Sequence, residues 1–113
     1  TFVDNDRVAL RLLRRNAALL GEGERVTIVA VDATRLGPAP RPPARLALLD
    51  PPYGRGLAAG ALTALAQGGW LAEAAIVVVE LGAGEPFTPP PGFLTADERR
   101  YGTTRLVFLC WSP

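Results

Sequence analysis

Three short apolar runs each end at an aspartate, and this arrangement constrains the fold more than any other feature of the chain. The runs deliver Asp4, Asp32 and Asp50 in turn. Runs of this length, alternating with helical stretches, predict strands of a parallel sheet with right-handed crossovers. Because ligands bind at the carboxyl ends of such strands, we expect the three acids to share one rim of the sheet. Taken singly, each acid is equally well interpreted as a turn or helix-flanking aspartate.

The remaining segments complete an α/β pattern over one domain, residues 1–113. The predicted elements are a strand over 1–4, a helix over 5–20, a strand over 25–31, an irregular proline-rich stretch over 33–44, a strand over 45–49, a helix over 57–67, a strand over 75–80, a loop over 82–93, and strands over 94–101 and 103–111. The last two strands flank Gly102 and predict an antiparallel hairpin. The sheet is therefore expected to be mostly parallel, with a C-terminal antiparallel edge.

Composition excludes several kinds of function. The chain has 113 residues and a hydrophobic fraction of 49%, so it can form a core. Its net charge of +1 does not by itself indicate a nucleic-acid-binding protein. The absence of histidine argues against His-based acid–base chemistry and most zinc sites, and we expect no metal. No apolar run is long enough to predict a membrane span. The single Cys110 cannot form an internal disulfide, which suits a reducing cytoplasm.

The tetrapeptide Asp50-Pro51-Pro52-Tyr53 has the groups needed to hold a flat ring that bears an amine. The Asp50 carboxylate and the Pro51 carbonyl are neighbouring hydrogen-bond acceptors, and the ring of Tyr53 offers a face for stacking. Two acceptors on an exocyclic amine would make its nitrogen more nucleophilic and stabilise the positive charge that develops on methylation. The sequence thus predicts an amino-methylation site, and the simpler alternative is a proline-stiffened turn between strand and helix.

A second motif is similar in sequence to a cofactor-binding loop. Residues 77–84 form an apolar run followed by Gly82 and Gly84, as in the glycine-rich loop that opens many methyltransferases. That loop needs a helix directly after it, whose N-terminus faces the ligand. Pro86 and the prolines at 89–91 leave no room for such a helix, so we reject this interpretation.

The chain resembles the RsmD-type 16S rRNA guanine-N2 methyltransferases, which have the class I S-adenosylmethionine-dependent fold. The resemblance covers essentially the whole chain. It rests on five blocks: residues 2–7 (Phe-Val-Asp-Asn-Asp-Arg) with 12–16, residues 49–53 (Leu-Asp-Pro-Pro-Tyr), residues 69–71 (Gly-Trp-Leu), residues 78–80 (Val-Val-Glu), and residues 98–106 (Glu-Arg-Arg-Tyr-Gly-Thr-Thr-Arg-Leu). It implies a Rossmann-like sheet, a bacterial cytoplasmic enzyme of rRNA processing, and 16S rRNA or a small-subunit assembly particle as partner.

The resemblance also implies roles for individual residues. Asp4 would bind the ribose hydroxyls of S-adenosylmethionine, and Asp32 with Ala33 would lie at its adenine. In the catalytic block, Asp50 and the Pro51 carbonyl would take the target amine, while Pro52 stiffens the turn and Tyr53 stacks on the base. Arg55 is the candidate for a phosphate contact, with a solvent-facing side chain as an equal alternative. The arginine face of the first helix is better interpreted as a solvated surface.

One feature of the family has no counterpart in this chain. The family begins with a strand and a glycine-rich loop that hold the methionine end of the cofactor, and that strand lies between those ending at Asp4 and Asp50. We therefore expect a first strand to be absent, a gap in the middle of the sheet, and no useful turnover by this stretch alone.

The sequence is also compatible with other functions. Asp-Pro-Pro-Tyr is shared with adenine-N6 DNA methyltransferases, and only the hairpin and the compact spacing favour rRNA. Glutamine methylation of release factors is disfavoured because that group has asparagine at the position of Asp50. The chain is also compatible with a non-catalytic, methyltransferase-like interaction domain.

Overall fold

The computed structural model describes all 113 residues, and the order of its elements is the predicted one. The elements are β1 (Phe2–Asp4), α1 (Arg7–Leu19), β2 (Ile28–Ala30), β3 (Ala44–Leu49), α2 (Leu57–Gln67), β4 (Leu71–Gly82), β5 (Phe93–Tyr101) and β6 (Thr104–Trp111), with 3₁₀ turns at Gly23–Arg25 and Ala33–Arg35. Neither helix combines the length and the apolar character that crossing a bilayer requires.

The strands form two separate sheets. β1 and β2 pair in parallel, and the other four strands lie in the order β3-β4-β6-β5. β3 pairs with β4 in parallel, whereas β6 is antiparallel to both β4 and β5, which confirms the predicted hairpin. No backbone hydrogen bonds join β1 to β3, so the expected gap in the middle of the sheet is confirmed.

The hydrophobic core lies on one face of the four-stranded sheet, beneath α2. Alternate residues of β4 point into it, and Val77 and Val79 are 0% exposed. Leu62 of α2 and Leu109 of β6 are also fully buried in this cluster. A strand that alternates in this way places its other side chains on the opposite face, which no helix of this chain covers. Leu48 on that face is 73% exposed.

Three predictions about individual elements need correction. The strand predicted over 25–31 is reduced to Ile28–Ala30, because residues 23–25 form a 3₁₀ turn and β1 offers only three residues for pairing. The strand predicted over 75–80 extends from Leu71 to Gly82, with an irregularity in its pairing to β3 near its start.

The third correction concerns α1. The helix predicted over 5–20 spans Arg7–Leu19, and Leu10 is its one buried residue, while Val8 and Leu12 are exposed. The helix packs mainly on β2 and the 3₁₀ turn Gly23–Arg25, so little surface is available to cover its apolar residues. Cys110 is half-buried, because it lies on the open face of the larger sheet.

The corner between α2 and β4 is packed around Gly68, the residue that ends α2. The indole N–H of Trp70 donates a hydrogen bond of 2.8 Å to the carbonyl oxygen of Gly37. A Cβ atom on Gly68 would lie 2.5 Å from that oxygen and 2.7 Å from the indole ring. Only glycine therefore fits at this corner.

Replacing Gly68 by alanine is expected to lower the free energy of unfolding by about 1–3 kcal/mol, because the backbone must shift to accommodate the methyl group. Urea unfolding followed by circular dichroism measures the effect. Gly23→Ala is the matched control, since a Cβ atom on Gly23 would meet no atom within 4 Å and the φ angle of Gly23 is not positive. Equal unfolding midpoints for the two variants would contradict the packing argument.

Candidate functional site

The Asp-Pro-Pro-Tyr turn begins where β3 ends. β3 runs beside β4 with Leu49 opposite Val79, so the next pair along the two strands is Asp50 and Glu80. The turn then passes through Gly54 and Gly56, which have φ angles of 76° and 63°, before α2 begins at Leu57. The side chain of Asp50 is exposed at this edge of the sheet. The sequence correctly placed an acid at the carboxyl end of a strand.

A groove of about 510 Å³ separates the two sheets, and part of the predicted site lines it. Ala33, Asp50 and Pro51 contribute to its wall together with residues of β1 and β3. Most of the other lining residues are hydrophobic, among them Phe2 and Leu48. The structure thus brings a residue predicted at the cofactor adenine and residues predicted at the amine to one cavity.

Asp4 is the last residue of β1 and Asp32 follows the neighbouring β2, and each supports the turn after its strand. The backbone N–H of Asp6 donates to Oδ1 of Asp4 at 2.8 Å. Oδ1 of Asp32 accepts from the hydroxyl of Thr34 at 2.7 Å and from its backbone N–H at 2.8 Å, and these bonds lower the pKa of Asp32. In both residues Oδ2 accepts no hydrogen bond from the protein, so each carboxylate keeps an oxygen for a ligand. Neither side chain lines the groove.

Tyr53 is held against the end of β4. A Cβ on Gly82 would lie 3.4 Å from its ring, which is ordinary van der Waals contact, and its hydroxyl lies 3.0 Å from Oγ1 of Thr104 on β6. The side chain is nevertheless 45% exposed, so part of the ring remains open for stacking.

Beside Tyr53 lies a second, open cavity of about 620 Å³, whose walls are mainly glycine backbone. They belong to the segments 54–56 and 82–86, and the backbone N–H of Gly54 donates to the carboxylate of Glu85, which ties the two segments together. Arg105 donates to the carbonyl oxygen of Glu85 at 2.7 Å. No helix follows Gly84, which confirms the prediction that no helix fits between this glycine pair and the hairpin. The glycines leave a space open at the face of Tyr53.

Sequence reasoning missed Glu80 as a member of the site. The neighbouring Asp50 carboxyl group, with which it can share a hydrogen bond, and partial desolvation raise the pKa of Glu80. Tyr53 opposes this rise in the pKa. The sequence shows Glu80 as an acid at the end of an apolar run. Which residue lies beside it depends on the register between β3 and β4, which the sequence does not reveal.

The remaining predicted residues stand apart from the cavities. Pro52 is exposed in the turn, and the Arg55 side chain is exposed and forms no ion pair. The arginines of α1 are exposed as well, and they also lack carboxylate partners within 4 Å. A phosphate contact by Arg55 stays a prediction.

The family model described as "Conserved hypothetical protein 95" matches residues 1–110 of the chain. A methylase candidate from Haemophilus influenzae has the same fold, with a TM-score of 0.84 and 22% identity, over 99% of this chain and 71% of that chain. The methyltransferase candidate yhhF from Escherichia coli superposes with a TM-score of 0.79 and 25% identity, over 97% of this chain and 60% of that chain. A protein from Streptococcus pyogenes gives a TM-score of 0.78 and 21% identity, over 97% of this chain and 69% of that chain.

None of the curated proteins matches the chain. The structural matches confirm the predicted Rossmann-like α/β fold, shared with methyltransferase candidates. The chain spans only 60% to 71% of the length of those three relatives.

Proposed function

The chain belongs to the Conserved hypothetical protein 95 family, and we propose that the whole protein is an S-adenosylmethionine-dependent methyltransferase acting on the exocyclic N2 amine of a guanine in 16S rRNA. The observation that carries the proposal is the position of Asp50 and Pro51. They stand at the carboxyl end of β3, on the wall of the inter-sheet groove, with the exposed ring of Tyr53 three residues along the chain.

The amine would be held by the Asp50 carboxylate and the Pro51 carbonyl while Tyr53 stacks on the base. Charge-assisted hydrogen bonds of this kind contribute about 1.5–3 kcal/mol each, and they strengthen as the nitrogen becomes positive. Acceptors that are already in place before the reaction need no reorganisation during it. The rest of the rate enhancement would come from in-line positioning of the donor and the amine.

The cofactor would occupy the side of the site nearest β1 and β2. Asp4 and Asp32 each have one carboxylate oxygen without a protein partner, which fits binding of hydroxyl or amino groups. Ala33 lines the groove with only a methyl group, and so leaves space for a flat ring. When bound, S-adenosylmethionine would supply the electrophilic methyl group.

The choice of rRNA over DNA is supported by the compact terminal hairpin and by its likeness to the RsmD-type enzymes. A guanine buried in a helical stack must leave that stack to reach the pocket beside Tyr53. Loop bases in RNA are already unstacked, and backbone contacts then supply the affinity. Arg55, exposed and without an ion pair, lies beside the motif and is the proposed phosphate contact.

Methyl transfer from a labelled donor tests the proposal. The whole protein should label 16S rRNA or small-subunit particles, and nucleoside analysis should find N2-methylguanine. Labelling of adenine in duplex DNA instead would support the alternative activity. No transfer to any nucleic acid, with protein shown to bind the cofactor, would contradict both.

Tyr53 provides a second check. Replacement by phenylalanine removes the hydroxyl contact with Thr104 but keeps the ring, so kcat/KM should stay within about fivefold of the original value. Replacement by alanine removes the stacking surface, whose contribution of about 1–3 kcal/mol per base corresponds to a loss of about tenfold to a hundredfold. Steady-state kinetics on a guanine-containing substrate measure both variants. Equal losses in the two variants would show that the hydroxyl, and not the ring, is what matters.

A further inference from the structure

Glu80 is a carboxylate at the reactive end of the sheet to which the proposed chemistry assigns no task. It lies on β4 directly across from Asp50, because Leu49 pairs with Val79 in the parallel register. Its side chain is half-buried and lies on the open face of the sheet, the same face as Val78. A carboxylate next to another carboxylate is unfavourable unless the two share a proton.

The surroundings of Glu80 favour such sharing. The parallel register places Asp50, the residue after β3, beside Glu80, and Tyr53 of the following turn also affects its titration. On β6 its register partner is Leu106, which is uncharged. Leu106 is paired in turn with Arg99 of β5, whose guanidinium already forms an ion pair with Asp97 at 3.1 Å. Neither β6 nor β5 therefore places a free cation opposite the pair.

We propose that Glu80 is the positioning residue of the amine site, sharing a proton with Asp50 in the resting protein and freeing Asp50 for the target amine when that proton is lost. This inference rests on the proposed function. While Glu80 is protonated, its O–H donates to Asp50 and competes with the amine for the same oxygen atoms. Once ionised, Glu80 adds negative charge where the amine nitrogen becomes positive.

The transfer step balances with this pair as the proton acceptor. The nitrogen lone pair forms the new N–C bond, the C–S bond of the sulfonium donor breaks, and its electron pair remains on sulfur. The methylated nitrogen then loses one proton to the pair of Asp50 and Glu80, which releases it to solvent.

The pH dependence of methyl transfer by the whole protein tests the inference. The rate of the wild-type protein should rise with pH as the shared proton is lost. Glu80→Gln keeps an N–H that donates to Asp50 at every pH, so this rise should disappear and the rate on the alkaline side should fall by about tenfold, the equivalent of one charge-assisted hydrogen bond. Glu73→Gln is the matched control, because Glu73 is an exposed glutamate on the same strand.

A readout independent of activity comes from carbon-13 NMR of the glutamate carboxyl groups. Glu80 should titrate above the ordinary range of a glutamate, and Asp50→Asn should move it back toward that range. Titration of Glu80 that is ordinary and unaffected by Asp50→Asn would overturn the inference. Wild-type transfer with the same pH profile in Glu80→Gln would also overturn it, while leaving the proposed function intact. Absence of transfer by the wild-type protein would overturn the proposed function as well.

Discussion

Replacing Asp50 by alanine is expected to reduce methyl transfer by at least about a hundredfold, because the variant loses the fixed acceptor that faces the developing positive charge. The change should appear mainly in kcat, since the interaction is strongest in the transition state. Asp50→Asn should lose less than Asp50→Ala, because the amide keeps one acceptor oxygen but not the charge. Single-turnover assays with saturating donor measure the chemical step directly.

The fold should survive these substitutions. The Asp50 side chain is exposed, and it raises the pKa of Glu80, which is the signature of two neighbouring like charges. An acid whose pKa is raised on folding contributes stability at low pH that is lost as pH rises through the folded value. Removing Asp50 should therefore leave the thermal midpoint at neutral pH unchanged or slightly higher. Glu73→Ala is the control for a surface charge on β4.

The same pair of variants separates an enzyme from an interaction domain. If Asp50→Ala binds its partner and donor normally but no longer transfers methyl groups, the catalytic interpretation is supported. Activity within a few-fold of the wild-type value would exclude Asp50 as the amine acceptor. The prolines and Tyr53 would then form only a stiff turn between β3 and α2, the simpler alternative for this motif.

Replacing Leu62 by alanine is expected to lower the free energy of unfolding by about 2–5 kcal/mol. Leu62 is 0% exposed on α2, packed in the cluster that includes Val77 and Val79 of β4. The cost combines lost transfer free energy with the cavity that remains. Because the core occupies one face of a single sheet, few other side chains can move to fill it.

Leu19→Ala is the matched control for this core variant. Leu19 is also a helical leucine but is 73% exposed, so its truncation should change stability by less than about 0.5 kcal/mol. Chemical denaturation of both variants, with the slope of the transition compared as well as the midpoint, measures the difference. Similar losses for the two leucines would show that α1 is covered in solution by a surface of the whole protein.

Features set by residues close together along the chain were predicted correctly from the sequence, and features that depend on distant residues were not. The helix Leu57–Gln67 and the hairpin about Gly102 were correctly predicted, because helical spacing and turn chemistry act over a few residues. The apolar residues of α1 follow helical spacing, yet Leu10 is buried while Val8 and Leu12 are exposed. A pattern shows which face prefers burial, but the small sheet beneath α1 decides how much of it is covered.

The same distinction between local and distant contacts holds for the candidate site. The sequence by itself determined that Asp50 would follow a strand and precede a stiff turn bearing an aromatic ring, since apolar runs, prolines and acids are local signals. The expectation that this strand is buried was wrong, because β3 is an edge strand with no buried residue. Only the tertiary structure decided that Glu80 stands beside Asp50 and that Gly82 lies against the ring of Tyr53. The physical reason is that strand partners and register depend on contacts between residues distant along the chain, and these form only when the whole core packs.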